Sequence, residues 1–92
     1  MEIKYVEAAD NSVIFHLLNE DYISNMPLKD VEARICVYPQ FVRVHNSFII
    51  CIELIDSYNA QHIKLKNLPK LAIPFGVTYR ERALRKIDPD KT

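Results

Sequence analysis

From Glu2 to Ala8 apolar and polar side chains alternate, with β-branched and aromatic residues among them, which predicts a strand. Ala9-Asp10-Asn11-Ser12 predicts a turn, because short polar side chains bond the local backbone and tolerate tight geometry. Val13 to Leu18 and Tyr22 to Met26 predict two more strands around a turn at Asn19-Glu20-Asp21. The chain therefore opens as an antiparallel meander. The period then changes: Leu28, Val31 and Ile35 fall at i, i+3 and i+7, a single helical stripe. Pro27 suits the first helical position, with the cap at Asn25 or Met26. Pro39 biases Tyr38 out of helical geometry, so the helix should end by Val37.

The stretch Phe41 to Ile52 has two halves of opposite character. Arg43, His45, Asn46 and Ser47 place four hydrogen-bonding side chains within five positions. Phe48 to Ile52 is an unbroken apolar run that calls for full burial. This pairing predicts a recognition surface carried on a core strand, with strand continuing through Glu53 to Ser57. After a turn at Tyr58 to Gln61, His62 to Lys66 predicts a half-buried strand with Ile63 and Leu65 inward. Asn67-Leu68-Pro69 turns the chain, and Lys70 to Phe75 returns to complete a hairpin. Gly76, the single glycine, is expected at a positive φ or a tight bend. Thr78 is expected to cap a final helix over Tyr79 to Ile87, and residues 88–92 read as a frayed tail. Roughly seven short strands, two short helices and no βαβ alternation predict a mostly β fold of small antiparallel sheets.

Composition narrows the class. The chain has 92 residues, 49% of them hydrophobic, which suits one globular domain over 1–92. The longest apolar run is too short to span a bilayer, and no apolar segment of a signal peptide follows Met1-Glu2-Ile3-Lys4. A cytoplasmic protein is therefore expected. Cys36 and Cys51 lie among apolar neighbours, and His16, His45 and His62 are scattered. No metal motif is formed, and two buried, reduced thiols are expected. Neither a cofactor nor a small-molecule substrate is implied. Net charge is zero, but residues 1–42 carry −4 and residues 43–92 carry +4. That skew can give one face a positive field.

The same residues bear on chemistry. One glycine excludes a glycine-rich phosphate loop. His45 and Ser47 would share a strand face, yet no nucleophile elbow surrounds Ser47 and no acid is placed to orient His45. No enzyme is expected. Arg43, His45 and Asn46 are donors of the kind that read base edges and grip phosphates, and Ser47 can hold a phosphate oxygen. A plain polar turn with a solvated Arg43 accounts for these residues equally well.

A resemblance separates the two readings. Tyr5-Val6-Glu7-Ala8 and Asn11 resemble the opening strand and turn of the LytTR DNA-binding family. Val13 to Leu18 is similar to its second strand, and Leu28-Lys29-Asp30-Val31-Glu32 to its helix start. Phe41 to Ile50 resembles the signature Phe-x-Arg-x-His-Arg-Ser-Tyr-Ile-Val over ten positions. Ile55-Asp56, Ile63 to Asn67 and Tyr79-Arg80 continue the likeness, which covers about residues 3–87. The resemblance implies an elongated arrangement of small antiparallel sheets with one or two short helices. It also implies double-stranded DNA bound through loops, in the manner of a response-regulator output domain of a two-component system. By position the resemblance implies contacts from Asp10 to Val13, from His45-Asn46-Ser47 and from Val77 to Arg80; the residues expected to touch DNA are Asn11, Ser12, Arg43, His45, Asn46, Ser47, Thr78, Tyr79 and Arg80. A module this small should bind repeated sites as two copies.

Three departures from the family pattern stand out. Asn46 replaces a frequent Arg. Gly76-Val77-Thr78 replaces a charged loop, which removes counterion-releasing contacts. The family's additional strand before Tyr5 is not seen, so an exposed edge at the first strand is expected. These departures motivate a rival reading, a LytTR-fold interaction module that has lost strong DNA binding and acts by dimerisation.

Overall fold

The computed structural model describes residues 3–91. Met1 and Glu2, expected at the start of the first strand, and Thr92, expected in the tail, lie outside the described residues. The elements in chain order are β1 (Ile3–Ala9), β2 (Ser12–Leu17), β3 (Asp21–Ser24), α1 (Leu28–Ile35), β4 (Phe41–His45) and β5 (Phe48–Cys51). They continue with β6 (Ile55–Tyr58), β7 (His62–Leu65), β8 (Ile73–Pro74) and α2 (Val77–Ile87). The first five strands form one antiparallel sheet in the order β3-β2-β1-β5-β4, and the last three form a second in the order β6-β7-β8. The molecule measures 35 × 26 × 23 Å.

The larger sheet is covered on both faces. On one side Val6, Val13 and Ile49 pack with Leu28 and Val31 of α1. On the other, Val42, Val44 and Ile50 pack with Ile63, Leu65 and Ile73 of the smaller sheet, Phe75 just after it and Ala83 of α2. Strand side chains alternate between faces, so Ile49 and Ile50 point into different cores and both are fully buried. This explains the apolar run at β5: a strand buried on both faces has no polar positions to spare.

The structure departs from the sequence expectations at several points. Phe41 to Ile52 is a hairpin that breaks at Asn46-Ser47, and Ile52–Leu54 is a single 3-10 turn before β6. Residues 70–72 leave only Ile73–Pro74 paired in β8. Pro27 is the cap of α1, one residue before the helix, and its carbonyl accepts from the Asp30 and Val31 amides. Gly76 has an ordinary φ of −68° and is itself the residue preceding α2, so Thr78 lies inside the helix and makes no cap bond. β1 lies in the middle of its sheet, between β2 and β5, so it exposes no edge; the edges are β3 and β4. Cys36 and Cys51 are half-buried rather than buried, and no disulfide joins them. The tail turns back as a 3-10 segment over Pro89–Lys91, and the Tyr58 hydroxyl donates to Asp88.

The smaller sheet covers only the β4–β5 end of its face. Towards the other end lies a polar cluster. His16 bridges two carboxylates, with Nε2 2.6 Å from Glu7 and Nδ1 3.0 Å from Asp21. The Tyr5 ring stacks on His16 at 4.1 Å. Burial and the charges of Glu7 and Asp21 push the Tyr5 hydroxyl pKa up. These residues lie on three neighbouring strands because Tyr5 pairs with His16 and His16 with Asp21 in register.

Candidate nucleic-acid interface

Antiparallel pairing decides which turns meet. β1 runs opposite to β5, and β5 opposite to β4, so β1 and β4 run the same way. Their far ends carry the turns Asp10-Asn11 and Asn46-Ser47, which therefore lie at one end of the sheet. A hydrogen bond ties them, the Ala8 amide donating to the Ser47 carbonyl at 2.8 Å. Asp10 holds φ at 55°, a left-handed conformation that Asp adopts more readily than most residues.

The start of α2 joins the same end. The Gly76 amide donates to the Val44 carbonyl at 2.7 Å, so the chain enters α2 pressed against the outer edge of β4. A Cβ at Gly76 would lie 3.3 Å from the His45 Cα, the Val44 carbonyl oxygen and the Tyr79 ring. Close approach, not backbone freedom, is what requires glycine here.

Arg43 organises the turn. Its Nε donates to the His45 carbonyl at 3.2 Å and Nη2 to the Asn46 carbonyl at 2.8 Å. Nη1 donates to Glu32 of α1 at 2.8 Å, and the guanidinium lies 5.2 Å from the centre of the Tyr79 ring. One side chain thus links α1, the turn and α2. With 14% of its side chain exposed, Arg43 is not the solvated residue of the plainer reading.

The neighbouring side chains are also oriented. His45 Nδ1 accepts from the Ser47 amide at 3.0 Å. An accepting ring nitrogen holds no proton, so the neutral imidazole carries its proton on Nε2 and presents that N–H as a donor. The Tyr79 hydroxyl donates to Asn46 Oδ1 at 3.0 Å, which leaves the Asn46 amide NH₂ as the donor of an exposed side chain. Asn11 and Thr78 are exposed; Ser12, Ser47 and Tyr79 are half-buried. Arg80 is held back, with Nη2 3.5 Å from the Phe75 carbonyl and its guanidinium 5.8 Å from the Phe75 ring. Its Nε is buried without a hydrogen-bond partner.

All nine residues singled out from the sequence belong to these three adjoining segments. Three further residues shape the site and were not anticipated in that role: Glu32, which holds Arg43; Gly76, which admits α2; and Lys86. Lys86 Nζ donates to the carbonyls of Cys36, Tyr38 and Phe41, fixing the loop that leads into β4. Nothing local in the sequence marks these roles, since each partner lies on a different element. Among the described residues, no cluster of His, Cys, Asp or Glu is arranged to hold a metal ion, and no helix is long and apolar enough to cross a membrane.

Comparison with known proteins adds to this geometry. A family model for the LytTr DNA-binding domain matches residues 1–87. Among solved structures, the chain is similar to the LytTr DNA-binding domain of a protein described as a methyl-accepting/DNA response regulator from Bacillus cereus. That likeness has a TM-score of 0.83 and covers 95% of this chain and 82% of the other. At 17% identity it is a likeness of fold. No curated protein matches significantly.

Proposed function

The chain belongs to the LytTR family of DNA-binding domains, and on that premise we propose that it is a sequence-reading transcription regulator that contacts double-stranded DNA through three loops. The observation that carries this reading is the convergence of the Asp10-Asn11 turn, the Asn46-Ser47 turn and the start of α2 at one end of the sheet, joined by backbone bonds. In this reading His45 Nε2–H and the Asn46 amide face base edges, where purine N7 and O6 atoms accept. The Ser47, Thr78 and Ser12 hydroxyls, with Asn11, take phosphate oxygens. Tyr79 aims Asn46, Arg43 fixes the turn, and Arg80 contributes positive charge behind the loop. The setting is cytoplasmic, as the output unit of a response regulator, with a second copy on a repeated site.

Selection from a randomised duplex pool, followed by fluorescence anisotropy, tests this. The expected result is an enriched sequence whose affinity falls with salt as phosphate counterions are released. His45→Ala or Asn46→Ala should relax the enriched sequence, whereas Arg80→Ala should weaken all duplexes alike and flatten the salt slope. Absence of any salt-dependent binding at low ionic strength would sink the proposal.

One observation favours the rival reading. Arg43 donates to three protein acceptors, and Val77-Thr78 adds no charge, so the loops are poor in free cations. An interaction module would show a tight dimer and no DNA shift in the same assay.

A further inference from the structure

We infer that two copies of this chain associate head to tail, the acidic β2–β3 end of one sheet docking on the basic α2 end of the next. Leu18, Tyr22 and Ile23, each about 60% exposed, line the edge at β3 and the turn before it, with Tyr22 and Ile23 on opposite faces of the strand. Val37 and Tyr38, 73% and 56% exposed, lie on the loop after α1. That loop is strapped to α2 by Lys86, which donates to the Cys36 and Tyr38 carbonyls.

The charges around the two patches are opposite. Glu20 and Asp21 flank the first, and both are exposed. Arg82 and Lys86, also exposed, lie beside the second with Cys36; Arg85 on the same helix is paired with its single acid, Glu81, at 3.1 Å, and Asp88 and Asp90 follow the helix. The sheet order β3-β2-β1-β5-β4 puts the first patch at one edge, while α2 packs on β4 at the other. Four strand spacings separate the edges, roughly 19 Å at ~4.8 Å each. Screening acts over about 8 Å at physiological ionic strength, so the two ends cannot neutralise each other within one molecule. Between molecules they can, and apolar side chains meet apolar side chains at the same contact.

A contact of this kind joins two different surfaces, so it is heterologous rather than two-fold. Successive copies lie side by side along the sheet, with their DNA-facing loops pointing the same way. With few side chains on each side it belongs to the small, transient class, below about 1,200 Å². It goes beyond the DNA reading and forms without DNA, so either idea can fail while the other stands.

Sedimentation equilibrium of the whole chain without DNA tests it through a charge swap. Wild type should self-associate at low salt and dissociate as salt is raised. Glu20→Arg and Arg82→Glu, both at exposed positions, should each lower the association constant about tenfold, since like charges would then face each other. An equimolar mixture of the two variants should regain wild-type association. In the mixture each altered end meets its opposite on the other variant. Unchanged unfolding temperatures confirm that both variants are folded. The inference is overturned if wild type stays monomeric at all salts, if either variant associates like wild type, or if the mixture does no better than its parts. Loss with Glu20→Arg but not Arg82→Glu also overturns it, because that is the pattern of two β3 edges meeting.

Discussion

Two polar clusters sit at different places on the same sheet, and each is built around one nitrogen-rich side chain. Arg43 grips two backbone carbonyls, a carboxylate and an aromatic ring. His16 grips two carboxylates and stacks on an aromatic ring. The difference is what they hold. The partners of Arg43 come from α1, the β4–β5 turn and α2, so this side chain sets the relative position of three elements. The partners of His16 come from β1 and β3, strands already fixed in register by their backbones. One cluster positions a surface; the other seals a face that the smaller sheet leaves open. Similar chemistry carries different structural weight according to what else holds the same elements in place.

The largest effect is expected at Arg43. Arg43→Met keeps the bulk and removes every donor, leaving Glu32 unpaired and the turn unsupported. A loss of about 2–4 kcal/mol is expected by urea unfolding, together with loss of DNA affinity in anisotropy. If stability falls but DNA binding survives intact, Arg43 does not position the site.

Gly76→Ala comes next. Two of the three atoms facing a new Cβ belong to the backbone of β4 and cannot swing away. The start of α2 must shift, at a cost of about 1–3 kcal/mol. The amide signals of Asn46 and Tyr79 should move in NMR spectra, while those of β2 and β3 stay in place. Equal shifts in β2 would mean that the two regions are more tightly coupled than the packing implies.

At the other cluster, His16→Ala should cost about 1 kcal/mol, since Asp21 is well exposed and water can replace its bond. DNA affinity should not change. A drop in affinity with unaltered unfolding would show that the two clusters communicate.

The smallest effect is alkaline. The Tyr5, Tyr58 and Cys36 pKa values are all raised, in each case foremost by burial. The folded chain therefore holds these protons more tightly than the unfolded chain. Their contribution is complete below the unfolded values and is lost as pH climbs through the raised ones. Unfolding midpoints should be flat between pH 7 and 8 and decline above about pH 9 to 10. Tyr5→Phe should soften that decline; no change in its slope would remove Tyr5 from the account.

Much of the fold was written locally. Alternation in β1, β2 and β7, the stripe of Leu28 and Val31, and the polar turns all follow from side-chain periodicity and turn chemistry. The signature at Phe41 to Ile50 placed the DNA-facing candidates without knowledge of their neighbours. What the sequence could not express is which side chain meets which across elements. The hairpin break at Asn46-Ser47 was hidden because the apolar run after it is set by burial on two faces rather than by strand period. Gly76 by itself suggests backbone freedom, but what it meets is β4, far earlier in the chain. The central place of β1, the grip of Glu32 on Arg43 and the reach of Lys86 to the Cys36 and Tyr38 carbonyls are equally non-local. Local pattern determined the elements and the chemistry of the tip. Only packing decided which loops share an end, because that depends on strand order and on contacts between residues far apart in the chain.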